Sequence, residues 1–138
     1  MGGNLVEVRR GNVKDVLDVA QLALVLWPDH SLHAMALNVL ESIQGKDVAY
    51  FLAILNHEVI GLAYVRLRQE DSYLEGLFLK EEYRCREYLM QLIRACEQWA
   101  NEKGTKTLIS GLNVGMQEGN PMYRYVHLEW GLYDRPLV

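Results

Sequence analysis

The sequence predicts an α/β fold built on a mixed, mostly antiparallel central sheet flanked by helices. Three observations lead there. The elements run β, α, α, β, β, β, α, β, α, and the three successive strands have no helix between them, which points away from a doubly wound parallel sheet. The longest apolar pattern, over residues 81–104, repeats at helical spacing. The 138-residue chain has no repeat, low-complexity tract or linker, so residues 1–138 read as one domain.

Each element has its own local reason. "NLVEVRR" alternates apolar and polar residues as a first strand does. Asn12 can cap a helix over 13–27, where Val13, Val16, Leu17, Ala20, Leu24 and Trp27 recur at helical spacing and Pro28 ends the run. "SLHAMALNVLESI" is a second helix, capped by Ser31 and stopped near Gly45. "DVAYFLAIL" and "EVIGLAYVRLR" flank Asn56 and His57 as a β-hairpin. "SYLEGLFL" is the next strand; Gly76 inside it marks a bulge or a close approach. "EEYRCREYLMQLIRACEQWANEKG" is the longest helix, with Tyr88, Leu89, Leu92, Ile93, Cys96 and Trp99 as its buried stripe and Gly104 closing it. "KTLISGL" is a strand, 113–119 a loop, and "NPMYRYVHLEWG" a short helix with Asn120 as cap and Pro121 in its first turn. The tail "LYDRPLV" has little room for a full strand.

Composition narrows the function classes. No apolar run is long enough to span a bilayer, and "MGGNLVEVRR" has no signal-peptide core, so no membrane partner is expected. A net charge of -4 argues against nucleic acid and mildly favours a cationic ligand. Cys85 and Cys96 lie three helical turns apart on one predicted helix, too far to bridge, and reduced thiols point to the cytoplasm. His30 and His33 are three apart with no third ligand placed nearby, so no metal is expected.

Four stretches carry a family resemblance: "LWPDH", "YLEGLFLKEEYR", "ACEQWANEKG" and "NPMYRYVHLEWGL". Together they resemble the GNAT N-acetyltransferase superfamily and, within it, most the aminoglycoside 6'-N-acetyltransferases. The resemblance implies acetyl transfer from acetyl-CoA to a primary amine of a small molecule, with an aminoglycoside as one acceptor. The fold is then a GNAT-like sheet whose C-terminal strand is apparently missing.

Such chemistry needs an acceptor for the amine proton, a donor for the leaving thiolate, and a nest of backbone N–H groups for the coenzyme diphosphate. The resemblance places Glu75 as the base and His127 as the thiolate's proton donor. The bland alternatives are an edge-strand surface Glu and a packed helix His. It gives Leu77 and Leu79 backbone contacts to the pantetheine arm and adds Arg84 and Asn120 to the coenzyme site; Arg86, beside Arg84, can clamp phosphates through its side chain. Trp27, Asp29 and His30 would line the acceptor pocket; equally, Trp27 serves as a core anchor and "PDH" as a helix-ending turn.

The chain also departs from the family pattern. The coenzyme loop of the family has small residues where "RCREYL" has Glu87 and Leu89. Side chains there would stand between backbone and diphosphate, and Glu87 adds like charge. Gly111 stands where the aminoglycoside group tends to have Asp, and Tyr123 replaces a small residue. Three readings follow: an N-acetyltransferase, a catalytically impaired protein of this fold serving as a binding or dimerisation module, or an acyltransferase-like domain holding a different ligand in the vacated cleft. The short C-terminus would leave a sheet edge open, which predicts a homodimer.

Overall fold

The computed structural model describes residues 5–105, 107–109 and 135–136. Six strands lie side by side in chain order: β1 (Glu7–Arg10), β2 (Val48–Leu55), β3 (Glu58–Arg68), β4 (Asp71–Leu79), β5 (Thr107–Ile109) and β6 (Arg135–Pro136). All neighbours are antiparallel except β4 and β5, which run parallel. Helices α1 (Val16–Leu26) and α2 (Leu32–Gln44) pack on each other and on β2, β3 and β4, while α3 (Arg86–Glu102) crosses the opposite face. The predicted mixed, mostly antiparallel sheet is what forms.

The first helix starts more tightly than its apolar spacing suggests. Residues Val13–Asp15 make a 3-10 turn before α1 begins at Val16. Asn12 caps it as expected, and Asp15 reaches back to the Asn12 N–H, a reciprocal capping box. Arg9 of β1 grips the same carboxylate through two hydrogen bonds of 2.8 and 2.9 Å, which ties strand to helix. Ser31 caps α2 by accepting from the Ala34 N–H.

Asn56 and His57 both adopt positive φ, 52° and 68°, as the tight hairpin between β2 and β3 requires. Two bulges then set the sheet's register. Ile54 faces Val59 but Ala53 faces Gly61, so Ile60 is an extra residue on β3. Tyr64 faces Gly76 while Val65 faces Leu74, so Glu75 is an extra residue on β4. A bulge breaks the strict alternation of faces, and that second one builds the site described next.

The sequence stripe of α3 is buried at Leu89, Leu92, Ile93, Cys96 and Trp99, joined by Met90 and Ala100, while Tyr88 is half-buried. Its start differs from expectation. Residues Glu81–Tyr83 form a 3-10 turn, Arg84 and Cys85 are extended, and the α-helix begins only at Arg86. At the C-terminal end, two residues of the tail pair with β5 at Thr107 and Leu108. The sheet therefore gains a short strand where none was expected.

Candidate active site on strand β4

The bulge puts Glu75 and Gly76 on the same face of the sheet. Leu74 opposes Val65, whereas Gly76 opposes Tyr64 and lies under the Trp27 ring; a Cβ there would sit 2.8 Å from Trp27 Cη2. Glu75 meets Arg66 and Arg68, which share a face with Tyr64 on β3. The residue is only 3% exposed, which removes the bland reading of a surface residue. Arg66 Nε donates to Oε1 at 3.1 Å, and Arg68 Nη2 stands 2.7 Å from Oε2 as an ion pair without hydrogen-bond alignment. Arg66 also donates through Nη2 to the Tyr64 hydroxyl.

A cleft of 250 Å³ opens beside this network, lined by Trp27 and His30, by Asn38 and Glu41 of α2, and by Tyr64 and Arg66. Tyr50 also lines the cleft, its ring centroid 4.5 Å from that of Tyr64, and Trp27 meets Tyr64 edge-on at 6.0 Å. Burial opposes the Arg66 charge, yet Tyr64 and Glu75 outweigh it and hold the guanidinium above its ordinary value. Burial pushes the Tyr50 phenol well up, which keeps it a neutral hydroxyl. A larger hollow of 410 Å³ near the β2–β3 turn, with Asp18, His57, Glu58 and Lys80 in its wall, includes none of these residues.

Beyond Glu75 the outer margin of β4 is bare among the described residues, because β5 pairs only with Ser72 and Tyr73. The Lys80 N–H bonds Ile60 C=O at 2.8 Å, which fixes the hydrogen-bond phase of the ladder. With that phase, Leu79 opposite Gly61 and Leu77 opposite Ala63 form non-hydrogen-bonded pairs, and their N–H and C=O groups point away from β3. Their side chains are fully buried. Leu79 C=O is taken by Arg84 Nε at 2.8 Å, and the Arg84 guanidinium lies over the Phe78 ring. Arg84 is thus folded back onto β4.

The strand leads through extended Arg84 and Cys85 into the first turn of α3. A helix's first turn presents N–H groups that its own carbonyls do not satisfy, and its dipole favours anions. Leu89, expected to obstruct that turn, is 0% exposed and packs in the core. Glu87 is exposed in the same turn. One of the two expected obstacles is therefore a core residue, and the other is a charge.

Trp27 and His30 come together with Arg66 and, through it, Glu75; Asp29 is exposed and outside the cleft lining. Arg86 is exposed at the start of α3. Asn120 and His127, with Gly111 and Tyr123, lie outside the described residues. Sequence reasoning missed Tyr50, Tyr64, Arg66 and Arg68. A regular hairpin around Asn56 and His57 pairs Tyr50 with Ala63; only the extra residue Ile60 brings Tyr64 opposite Tyr50. Gly61 was the available signal: a Cβ there would lie 2.6 Å from Phe78 O.

Residues 15–126 match the acetyltransferase (GNAT) family. The chain is 29% identical over 114 residues to the aminoglycoside N(6')-acetyltransferase type 1 of Salmonella enteritidis, across 76% of this chain and 79% of that protein. Its structure is similar to aminoglycoside N-acetyltransferase AAC(6')-Iy in complex with CoA, with a TM-score of 0.80 at 25% identity over 99% of this chain and 93% of that one. AAC(6')-Iy in complex with the bisubstrate analog CoA-S-monomethyl-acetylneamine gives 0.75 at 25% identity over 89% and 87%. The family match spans most of the sequence, from the start of α1 through the bulged β4 and α3, and the chain belongs to the GNAT acetyltransferase family.

Proposed function

We propose that the chain is an acetyl-CoA-dependent N-acetyltransferase acting on a primary amine of a small molecule. The observation that carries this reading is the outer margin of β4: outward backbone groups at Leu77 and Leu79, leading through the turn at 81–85 into the start of α3. An amide-bearing arm can pair with such a margin as an added strand does, and a diphosphate suits the helix start that follows it. The residues present fit the coenzyme in backbone and oppose it at one side chain, Glu87. Acetyl-CoA, when bound, supplies an acetyl thioester.

The chain's residues supply the rest. Leu77 and Leu79 hold the arm through main-chain groups, and the first turn of α3 receives the diphosphate. Arg84 braces the corner between them by its bond to Leu79 C=O. Both Glu75 oxygens are engaged by guanidiniums, so Glu75 draws the amine proton through water, and His127 protonates the departing thiolate. Trp27 and His30 line the acceptor's wall. Similarity to aminoglycoside acetyltransferases makes aminoglycosides the first acceptors to assay. A homodimer belongs to the same proposal.

A second reading, a coenzyme-free binding module, is favoured by Glu87 alone. Calorimetric titration with acetyl-CoA separates the two. We expect binding by the natural chain, tightened about two- to fivefold in Glu87→Gln, the ~0.3–1 kcal/mol of one charge at a helix start. No heat at millimolar coenzyme, with the protein folded, would sink the transferase reading.

A further inference from the structure

We infer that the cleft beside Glu75 takes an amine that also carries a carboxylate, in preference to a polycationic amino sugar. The inference rests on the transferase reading and names the acceptor class for that site. Around the single buried carboxylate of Glu75 stand two guanidiniums, Arg66 and Arg68. Glu75 can neutralise only one of the two; Arg68 is half exposed outside the cleft, whereas Arg66 is part of its lining. The carboxylate opposing it there is Glu41, exposed on the α2 rim.

The donor inventory points the same way. A guanidinium has five N–H groups. Among the described residues Arg66 uses one on Glu75 and one on Tyr64, which leaves three. Tyr64 accepts from Arg66, so its own O–H proton remains to be given to a ligand. Arg66 and Tyr64 together offer a fork and a hydroxyl on one wall, the arrangement that a carboxylate takes up with two or three charge-assisted hydrogen bonds. A ligand carrying several ammonium groups meets donors and a like charge on that wall. Trp27 and Tyr64 supply flat apolar surface beside it, which suits an aromatic or aliphatic side chain on the same small molecule.

In the reaction itself the acceptor nitrogen bonds the acetyl carbon as the thioester C–S bond breaks. Of the two protons that the ammonium loses, one ends on the coenzyme thiol and the other in solvent. Arg66 takes no proton; it positions the carboxylate.

The test uses the full chain, acetyl-CoA and thiol release, with three matched pairs that differ in the carboxylate: phenylalanine and phenethylamine, tyrosine and tyramine, histidine and histamine. Kanamycin serves as the polycation. We expect kcat/KM for the carboxylated members to exceed their partners and kanamycin by about tenfold or more, chiefly through KM, as for a charged hydrogen-bonded pair. Arg66→Gln should bring the ratio to within about twofold, and Arg66→Lys should keep part of it, because charge survives and the fork does not. Should Arg66→Gln fail to fold, the Lys variant still decides by the size of its ratio. Preference for kanamycin or the decarboxylated amines, a ratio unmoved by both variants, or coenzyme binding with no amine turned over would each overturn the inference. Absence of coenzyme binding instead removes the transferase reading itself.

Discussion

Gly61 and Gly76 occupy positions where a single methyl group has different consequences. At Gly61 the added Cβ would lie 2.6 Å from the Phe78 carbonyl oxygen, a backbone atom of β4 that cannot swing away. At Gly76 it would meet the Trp27 ring at 2.8 Å, and a half-buried side chain can shift. Gly61→Ala is therefore predicted to cost more stability than Gly76→Ala within the ~1–3 kcal/mol of overpacking. Gly76→Ala should weaken acceptor binding by displacing Trp27. Urea midpoints for both variants check the order, and equal or reversed costs would refute it. At this scale the sequence was partly legible. Gly76 announced a close approach, although the approaching group is an indole and not another backbone. Glu75 stood out only through the family resemblance, because its burial depends on Arg66 and Arg68, whose pairing no local pattern encodes.

Among the elements, the start of α1 is both legible and testable. Asn12 was readable as a cap from its own residue type, but Asp15 carries a double duty that spacing does not show. It completes the capping box and accepts two hydrogen bonds from Arg9. Those bonds, more than anything else, hold its carboxyl below the usual range. A depressed carboxylate contributes stability that is complete above its unfolded value of about 3.9 and is lost as pH falls through the folded value. Asp15→Ala is predicted to destabilise the fold near neutrality by ~1–2 kcal/mol, the scale of a lost helix cap. The gap to the natural chain should close below about pH 4. A gap that stays constant from pH 7 to pH 3 would count against this account. The start of α3 was misread for an opposite reason. "EEYRCREYL" holds no Gly or Pro and has good helical propensity, yet the chain stays extended at Arg84 and Cys85, where Arg84 Nε is drawn onto Leu79 C=O. A side-chain-to-backbone hydrogen bond reaching five residues back competes with the helical preference there.

For the whole molecule, the sheet order was legible because tight turns join β2, β3 and β4 as successive neighbours. The bulges were not, since one extra residue leaves almost no trace in a periodicity, and they decide which side chains face the cleft. Leu17 and Val13 of the α1 region are 62% and 55% exposed. This apolar exposure supports the proposed homodimer. Sedimentation at micromolar concentration should give twice the chain's mass, and a single-chain species would refute it. The sheet has a further consequence if the transferase reading holds. The cleft lies on the α1 and α2 side, while α3 starts from the other, so the six strands form a partition between giver and receiver. Goods can be handed over around the rim that is bare among the described residues, past Glu75, with each guest on its own side. Neither has to depart before the other arrives, and a three-way assembly is the natural state in which the exchange takes place.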